Sequence, residues 1–432
     1  MTAAFLTLSF ALSVSTLAVR NLYDDEISTL AVVISSPTSI LHYAATVDIH
    51  PPGMYLLAHA AWLVIPSYRW MNLLPCLVLY AGLAVFLFAI TPLFRERRPL
   101  LVLLFIATLH PELLLWSNTF RWYSWWTGLA LITLAVVLQP QIEMPSLGWA
   151  RSLAIGILLA ALFYLNYITL LFILALATAM LLRYRFVARS ELLRHAAAVV
   201  AVFGLLIASQ LHTMVVAQLH YASAERVRIL ASAVRLSEGL IASEAYLPWH
   251  PLAILVWLFF LALGAYGMVQ FAHRTESQYR PPVECSPALR SITVLGVALF
   301  VMVVLAGLGN KPRSAIVLLP VLAPVAAIAS SRLRIRAQNA LLLFLALWSG
   351  VGIAHILGRY GLAKATMDDR PEQVVRFLQH DRGSGCAIVA TYDMGLAFAL
   401  REAHLPNVEE LSAADGLASQ SAALPQTATC TS

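Results

Sequence analysis

The sequence predicts an all-α protein that crosses a membrane many times. Three observations lead there. The first is composition: the 432 residues are 60% apolar and only 12% charged, and the mean hydropathy is +0.79. Soluble domains run near half apolar and about a quarter charged, and a globular core has too little interior to hide so much apolar surface. A soluble enzyme, a disordered chain, a collagen and a small disulfide-stapled scaffold are all excluded. The second is that the apolar residues fall in about eleven runs of span length. The third is the spacing of the arginines, which gather between those runs as they do in cytoplasmic loops.

The runs are 3–19, 70–93, 99–117, 122–139, 152–166, 167–182, 196–215, 251–272, 291–309, 314–330 and 338–357. Residues 3–19 lack a basic leader and a clean Ala-x-Ala site, so they read as a span and not as a cleaved signal. The loop 20–69 is long and fairly apolar but carries Asp24, Asp25, Glu26 and Asp48. Within it 27–46 and 53–65 read as helices lying along the membrane surface. Reading 53–65 as a crossing would invert every later span and turn the arginines outward. The unbroken run 152–182 is divided at Asn166–Tyr167, because Arg151 and the Arg183, Arg185, Arg189, Arg194 group belong on one side. The tail changes composition. Pro371–His380 and Met394–Ala403 read as short helices, Cys386–Tyr392 as a strand, and the Ala/Ser/Gln-rich end after 411 as mobile. The expected organisation is therefore a membrane domain over 1–357 and a small extracytoplasmic segment over 358–432.

The net charge of +6 does not point to nucleic acid, since no stretch interleaves basic and aromatic residues as a single-strand binder does. Four clusters set the topology: Arg95, Arg97 and Arg98; Arg183 to Arg194; Arg274, Arg280 and Arg290; and Arg332, Arg334 and Arg336. With the N-terminus inside, all four fall in the cytoplasm. Loops 20–69, 216–250 and 309–313 and the C-terminus then lie outside, in an inner (plasma) membrane. Cys76, Cys285, Cys386 and Cys430 form no Cys-x-x-Cys pair. Cys386 and Cys430 share the tail, where a disulfide and two unrelated thiols both remain open.

Several groups can carry chemistry. Asp24, Asp25 and Glu26 follow the first span directly. Acids favour a helix start, but three in a row also suit a catalytic carboxylate or a metal ligand. Asp48-Ile-His50-Pro-Pro-Gly-Met-Tyr55 enters a helix rigidly, because each proline holds the residue before it out of the α region. Trp116, Trp122, Tyr123, Trp125 and Trp126 gather at one membrane end, either as an interfacial belt or as a stacking surface for a ligand. Glu112 follows His110–Pro111 and suits a kink, at a depth where an ionisable group is expensive. Loop 216–250, with His220, Arg226, Arg228 and Arg235, is either a solvated amphipathic helix or a cap over a site.

Taken together, the acidic run after the first span and the Asp48-x-His50-Pro-Pro-x-x-Tyr55 segment resemble the GT-C superfamily. They are most similar to bacterial relatives of protein O-mannosyltransferases and of lipid A aminoarabinose transferases. Ser117-Asn-Thr-Phe-Arg121-Trp-Tyr123 resembles that family's Ser-Gln-Glu-Ala-Arg-Met-Tyr pattern. Lys311-Pro-Arg313, followed by Pro320, resembles its outer-loop arginine before a proline-containing span. The likeness covers roughly residues 1–330. It implies a GT-C-like bundle, and an inverting transfer of a monosaccharide from a polyprenyl-phosphate donor to a hydroxyl of a lipid, an envelope glycan or a protein.

Such a donor carries its own leaving group. The reaction needs a base for the acceptor hydroxyl and a cation for the departing phosphate. Asp25 is the expected base and Asp24 the second candidate. Arg313, with Lys311 and Arg121, is the expected phosphate clamp, since a guanidinium matches phosphate oxygens as a fork. Glu26, Asp48, His50 and Tyr123 are expected to bind substrate. Two departures matter: Thr119 stands where the family often has Glu, and Asn166–Tyr167 where several relatives have His-Tyr. If that His binds a divalent ion in relatives, one ligand is missing here; no cofactor is certain, and Glu26, Asp48 and His50 remain as a partial site for a divalent cation. A transporter or flippase of a lipid-linked or anionic solute is the alternative, but it predicts ionisable groups near the midplane and internal repeats. A non-catalytic scaffold predicts no confluence of acid, His-Pro-Pro and arginine.

Overall fold

A computed structural model describes residues 1–19, 24–46, 50–138, 148–184, 187, 189–215, 229–243, 245, 287–307, 312–358, 387–391 and 408–412. Within them the protein is a helical bundle that spans a membrane repeatedly. α1 covers Thr2–Val19. Three short helices follow: α2 (Asp24–Val33), α3 (Pro37–Thr46) and α4 (Gly53–Val64). α5 (Tyr68–Ile90), α6 (Arg97–Thr108), α7 (Pro111–Trp116) and α8 (Trp122–Leu138) form the next pass up and down the bundle. α9 (Trp149–Leu165), α10 (Thr169–Arg183) and α11 (Arg189–Ile207, continuing helically to Val215) complete the first half. α12 (Ile229–Ser237) leads into a π-helical turn, Glu238–Ala242. α13 (Pro287–Leu305), α14 (Ala315–Ser331) and α15 (Ile335–Gly358) follow. Among the described residues, five helical stretches, one of them α6 with α7 (Arg97–Trp116), are long and apolar enough to cross a membrane, and six shorter apolar helices accompany them.

The expected spans match these helices, except 251–272, which lies outside the described residues. The division at Asn166–Tyr167 is where α9 ends and α10 begins, and Asn166 explains it. Its Oδ1 accepts the Ile168 N–H at 2.8 Å, so the side chain replaces helical bonding and starts a new helix. Two expectations need correction. The stretch 27–46 is two helices, because the Ser36 hydroxyl accepts the Ser39 N–H at 3.2 Å ahead of Pro37, an N-cap followed by a proline start. The third span is also broken, into α6 and α7, where His110–Pro111 denies the helix an amide donor.

Close helix crossings need glycine at two places. A Cβ on Gly82 of α5 would stand 2.6 Å from the Gly128 Cα of α8, and one on Gly128 would stand 2.9 Å from the Leu79 Cα. In the first outer loop a Cβ on Gly53 would stand 2.7 Å from the Tyr164 Cβ of α9. His59 bonds the Val33 carbonyl at 2.8 Å, and Tyr43 meets Tyr55 edge to face. The three loop helices thus pack on one another, and α4 packs on α9.

The bundle has two chemically different ends. At one, Arg151 reaches the Val136 carbonyl at 3.0 Å and the Val137 carbonyl at 2.6 Å. Arg183 reaches the Leu138 carbonyl at 2.9 Å, and the Tyr184 hydroxyl donates to Val137 at 2.8 Å. These groups close the open C-terminal carbonyls of α8, where cations are favoured. Burial raises the Tyr184 phenol above its usual range, with Arg151 pulling it back, so the hydroxyl keeps the proton it donates. Arg98 bonds Asn339 at the same end, at 3.0 Å, beside the Arg332–Arg336 turn. At the opposite end, α1 finishes, α7 meets α8, and α14 begins.

In the tail, the expected strand appears as β1 (Ala387–Thr391). It pairs in parallel with β2 (Val408–Ser412), which hydropathy alone did not reveal. Both tail helices of the sequence reading lie outside the described residues.

Candidate active site

The second end of the bundle is organised by the connector between α7 and α8, residues 116–123. Its first task is to hold α1. Asn118 donates to the Ser13 carbonyl at 2.9 Å and to the Thr16 hydroxyl. Ser117 donates to the Ser13 hydroxyl at 2.8 Å, and Tyr80 of α5 meets that same hydroxyl at 2.8 Å. All of these groups are buried, and buried polar groups left without partners are costly. The network therefore fixes the direction in which α1 leaves the bundle.

The connector's second task is to hold α2. Glu26 is fully buried, and its Oε1 accepts the Phe120 N–H at 2.6 Å. Arg121 donates to the Thr29 hydroxyl one helical turn on, at 2.8 Å. A single loop thus grips the helix before the acidic corner and the helix after it. Asp24 and Asp25 open α2 at that corner; their side chains lie outside the described residues. Asp48 and Lys311 lie outside them altogether.

The connector's third task is to present an aromatic surface. Trp122 and Tyr123 lie 4.3 Å apart between ring centroids, and His50 faces Trp122 at 6.4 Å. Arg313, in the 3-10 turn Pro312–Ser314 ahead of α14, sets its guanidinium 5.6 Å from the Trp116 ring centroid and 5.9 Å from that of Tyr123. Contact of this kind orients a guanidinium. Glu26, His50 and Arg313 are thus brought from three distant places in the chain to the connector that carries Arg121 and Tyr123.

The arrangement also bears on a metal. The amide that stands where relatives have His-Tyr, Asn166, uses its oxygen to start α10. It offers no imidazole nitrogen, and its one side-chain acceptor oxygen is already engaged by the Ile168 N–H. Sequence reasoning missed Ser13, Thr16, Asn118 and Thr29. A signal existed: Ser9, Ser13 and Thr16 make a polar stripe at helical spacing in an apolar span, which marks an inward face. The partner of that stripe was not visible in one sequence.

Comparison with known proteins adds the fold. No family model matches the sequence, and no curated protein matches it. Two solved structures of ArnT from Cupriavidus metallidurans do match. The apo form aligns with a TM-score of 0.53 at 13% identity, over 92% of this chain and 84% of that one. The form bound to undecaprenyl phosphate aligns with a TM-score of 0.54 at 14% identity, over 96% and 86%. The chain has the GT-C fold of ArnT. In this GT-C bundle the likeness reaches well beyond residues 1–330, where the sequence resemblance stopped.

Proposed function

We propose that the protein is an inverting membrane glycosyltransferase that moves a monosaccharide from a polyprenyl phosphate to an acceptor hydroxyl, at the non-cytoplasmic face of the inner membrane. The observation that carries the reading is the connector 116–123, which ties the acidic corner of α1 and α2 to the stacked guanidinium of Arg313. The binding of undecaprenyl phosphate by ArnT, a protein of the same fold, supports the donor class.

In this reading Asp25 accepts the proton of the acceptor hydroxyl as its oxygen bonds to the anomeric carbon. The bond from that carbon to the phosphate oxygen breaks, and the phosphate leaves with the electron pair as polyprenyl phosphate. Attack opposite the phosphate inverts the anomeric centre. Arg313, with Lys311, receives the growing charge on the phosphate. Tyr123, Trp122 and His50 form the surface on which the sugar ring rests. Glu26 and Arg121 orient α2, and through it Asp25. Asp24 is the alternative base, and Asp48 binds substrate. The arginine end of the bundle faces the cytoplasm, and residues 358–432 form a small extracytoplasmic segment.

The test is sugar transfer in reconstituted vesicles. Asp25→Asn is expected to lower turnover by about 10²–10⁴-fold, the range that a positioned base supplies, while insertion and purification stay normal. Loss only with Asp24→Asn would move the base by one residue. Full activity in both variants would remove the carboxylate mechanism.

A further inference from the structure

The break between α6 and α7 holds a second buried polar cluster that the proposed chemistry does not use. Glu112 and His110 are both fully buried. The His110 Nδ1 accepts the Glu112 N–H at 3.1 Å. Its Nε2 must then carry the ring proton, and it donates to the Leu240 carbonyl at 2.9 Å. The ring also meets Trp348 of α15 edge to face at 4.5 Å. Glu112 Oε2 accepts the Ser243 hydroxyl at 2.9 Å, and the same hydroxyl accepts the Ala245 N–H at 3.2 Å. Two adjacent side chains of one helix break therefore hold a segment more than a hundred residues further along the chain.

Ser243 has φ 65° and ψ 145°, a conformation that glycine adopts at much lower cost. It is the one non-glycine residue with positive φ among those described. A serine in such a position costs stability, and the hydroxyl it brings is the group that reaches Glu112. The π-helical turn before it, Glu238–Ala242, packs against the Pro312–Ser314 turn that carries Arg313. α12 packs there too.

We infer that Glu112 and His110 are positioning residues: they latch the strap formed by Ile229–Ser243 and Ala245 onto the bundle, and the strap sets Arg313 for an anionic lipid phosphate. The latch stands on its own hydrogen bonds. Its consequence for the lipid rests on the glycosyltransferase reading.

Hydrogen–deuterium exchange and native mass spectrometry on the full-length protein in nanodiscs, with undecaprenyl phosphate as the probe, test both parts. Ser243→Gly removes the hydroxyl while relieving the backbone, so it folds without added strain. In it and in Glu112→Leu, peptides covering 229–243 are expected to exchange about tenfold faster. Affinity for undecaprenyl phosphate is expected to fall by about tenfold in both, against an unchanged thermal transition for Ser243→Gly. Glu112→Gln keeps a carbonyl acceptor and restores both readouts. Unchanged exchange in Ser243→Gly overturns the latch. Faster exchange with unchanged affinity overturns the positioning role. A wild-type protein that binds no undecaprenyl phosphate sinks the glycosyltransferase reading, and exchange alone then decides the latch.

Discussion

A guanidinium set over two aromatic faces is held more narrowly than a lysine ammonium could be, and that is the chemical content of Arg313. It lies 5.6 Å from the Trp116 ring centroid and 5.9 Å from that of Tyr123, each contact worth roughly 0.5–2 kcal/mol. Arg313→Lys keeps the charge but loses the fork and the stacking. It should lower kcat/KM for the lipid donor at least tenfold, about 1.4 kcal/mol of transition-state binding, measured with donor varied at saturating acceptor. Glu26→Ala strands the Phe120 N–H inside the protein, at about 1–3 kcal/mol. It should reduce thermal stability and activity together, whereas Asp25→Asn should reduce activity alone. A calorimetric scan beside the transfer assay separates the two. That Glu26, His50, Arg121 and Arg313 belong to the site was suggested in the sequence by residue type and by likeness to a known pattern, with Glu26 expected to bind substrate and Arg121 to join the phosphate clamp. What they touch was not, because Glu26 meets a backbone amide, and backbone partners leave no mark on composition.

Elements of this bundle were legible to the extent that hydropathy dictates them. The division at Asn166 followed from where the arginines had to lie, and the amide cap on Ile168 is its local cause. The breaks at Ser36–Pro37 and His110–Pro111 are written in the same turn chemistry, yet the apolar residues on both sides of the second kept it inside one span, with only a kink expected there. The parallel pairing of β1 with β2 was hidden because five residues of mixed polarity carry no period to read. The crossing of α5 and α8 gives a prediction at this scale. Gly128→Leu drives a side chain into the backbone of Val78 and Leu79. Overpacking of that kind costs about 1–3 kcal/mol and should lower the detergent melting temperature. Gly148→Ala, where a Cβ meets nothing within 4 Å, should leave it unchanged.

At the scale of the whole molecule, the bundle is polarised. Arg98, Arg151, Arg183 and the Arg332–Arg336 turn share one end, and the connector, Arg313 and the acidic corner share the other. The usual bias of basic loops predicts that the arginine end is the cytoplasmic one. In a variant with Cys76, Cys285, Cys386 and Cys430 replaced by serine, Thr38→Cys should react with an impermeant maleimide in intact cells. Arg334→Cys should react only after permeabilisation. The reverse pattern would move the site to the cytosol. Chelation should leave transfer intact, since Asn166 is spent on a helix start; inhibition reversed by an added divalent ion would restore the metal.

The most direct measurement is mass spectrometry of envelope lipids and glycans from cells carrying the wild-type gene, the Asp25→Asn variant or no gene. One monosaccharide should be missing from a single class of acceptor in both the variant and the deletion, with the corresponding polyprenyl-phosphate sugar accumulating. An envelope in which Asp25→Asn restores the full wild-type pattern would contradict transfer by this carboxylate, and identical envelopes in all three strains would contradict glycosyl transfer itself.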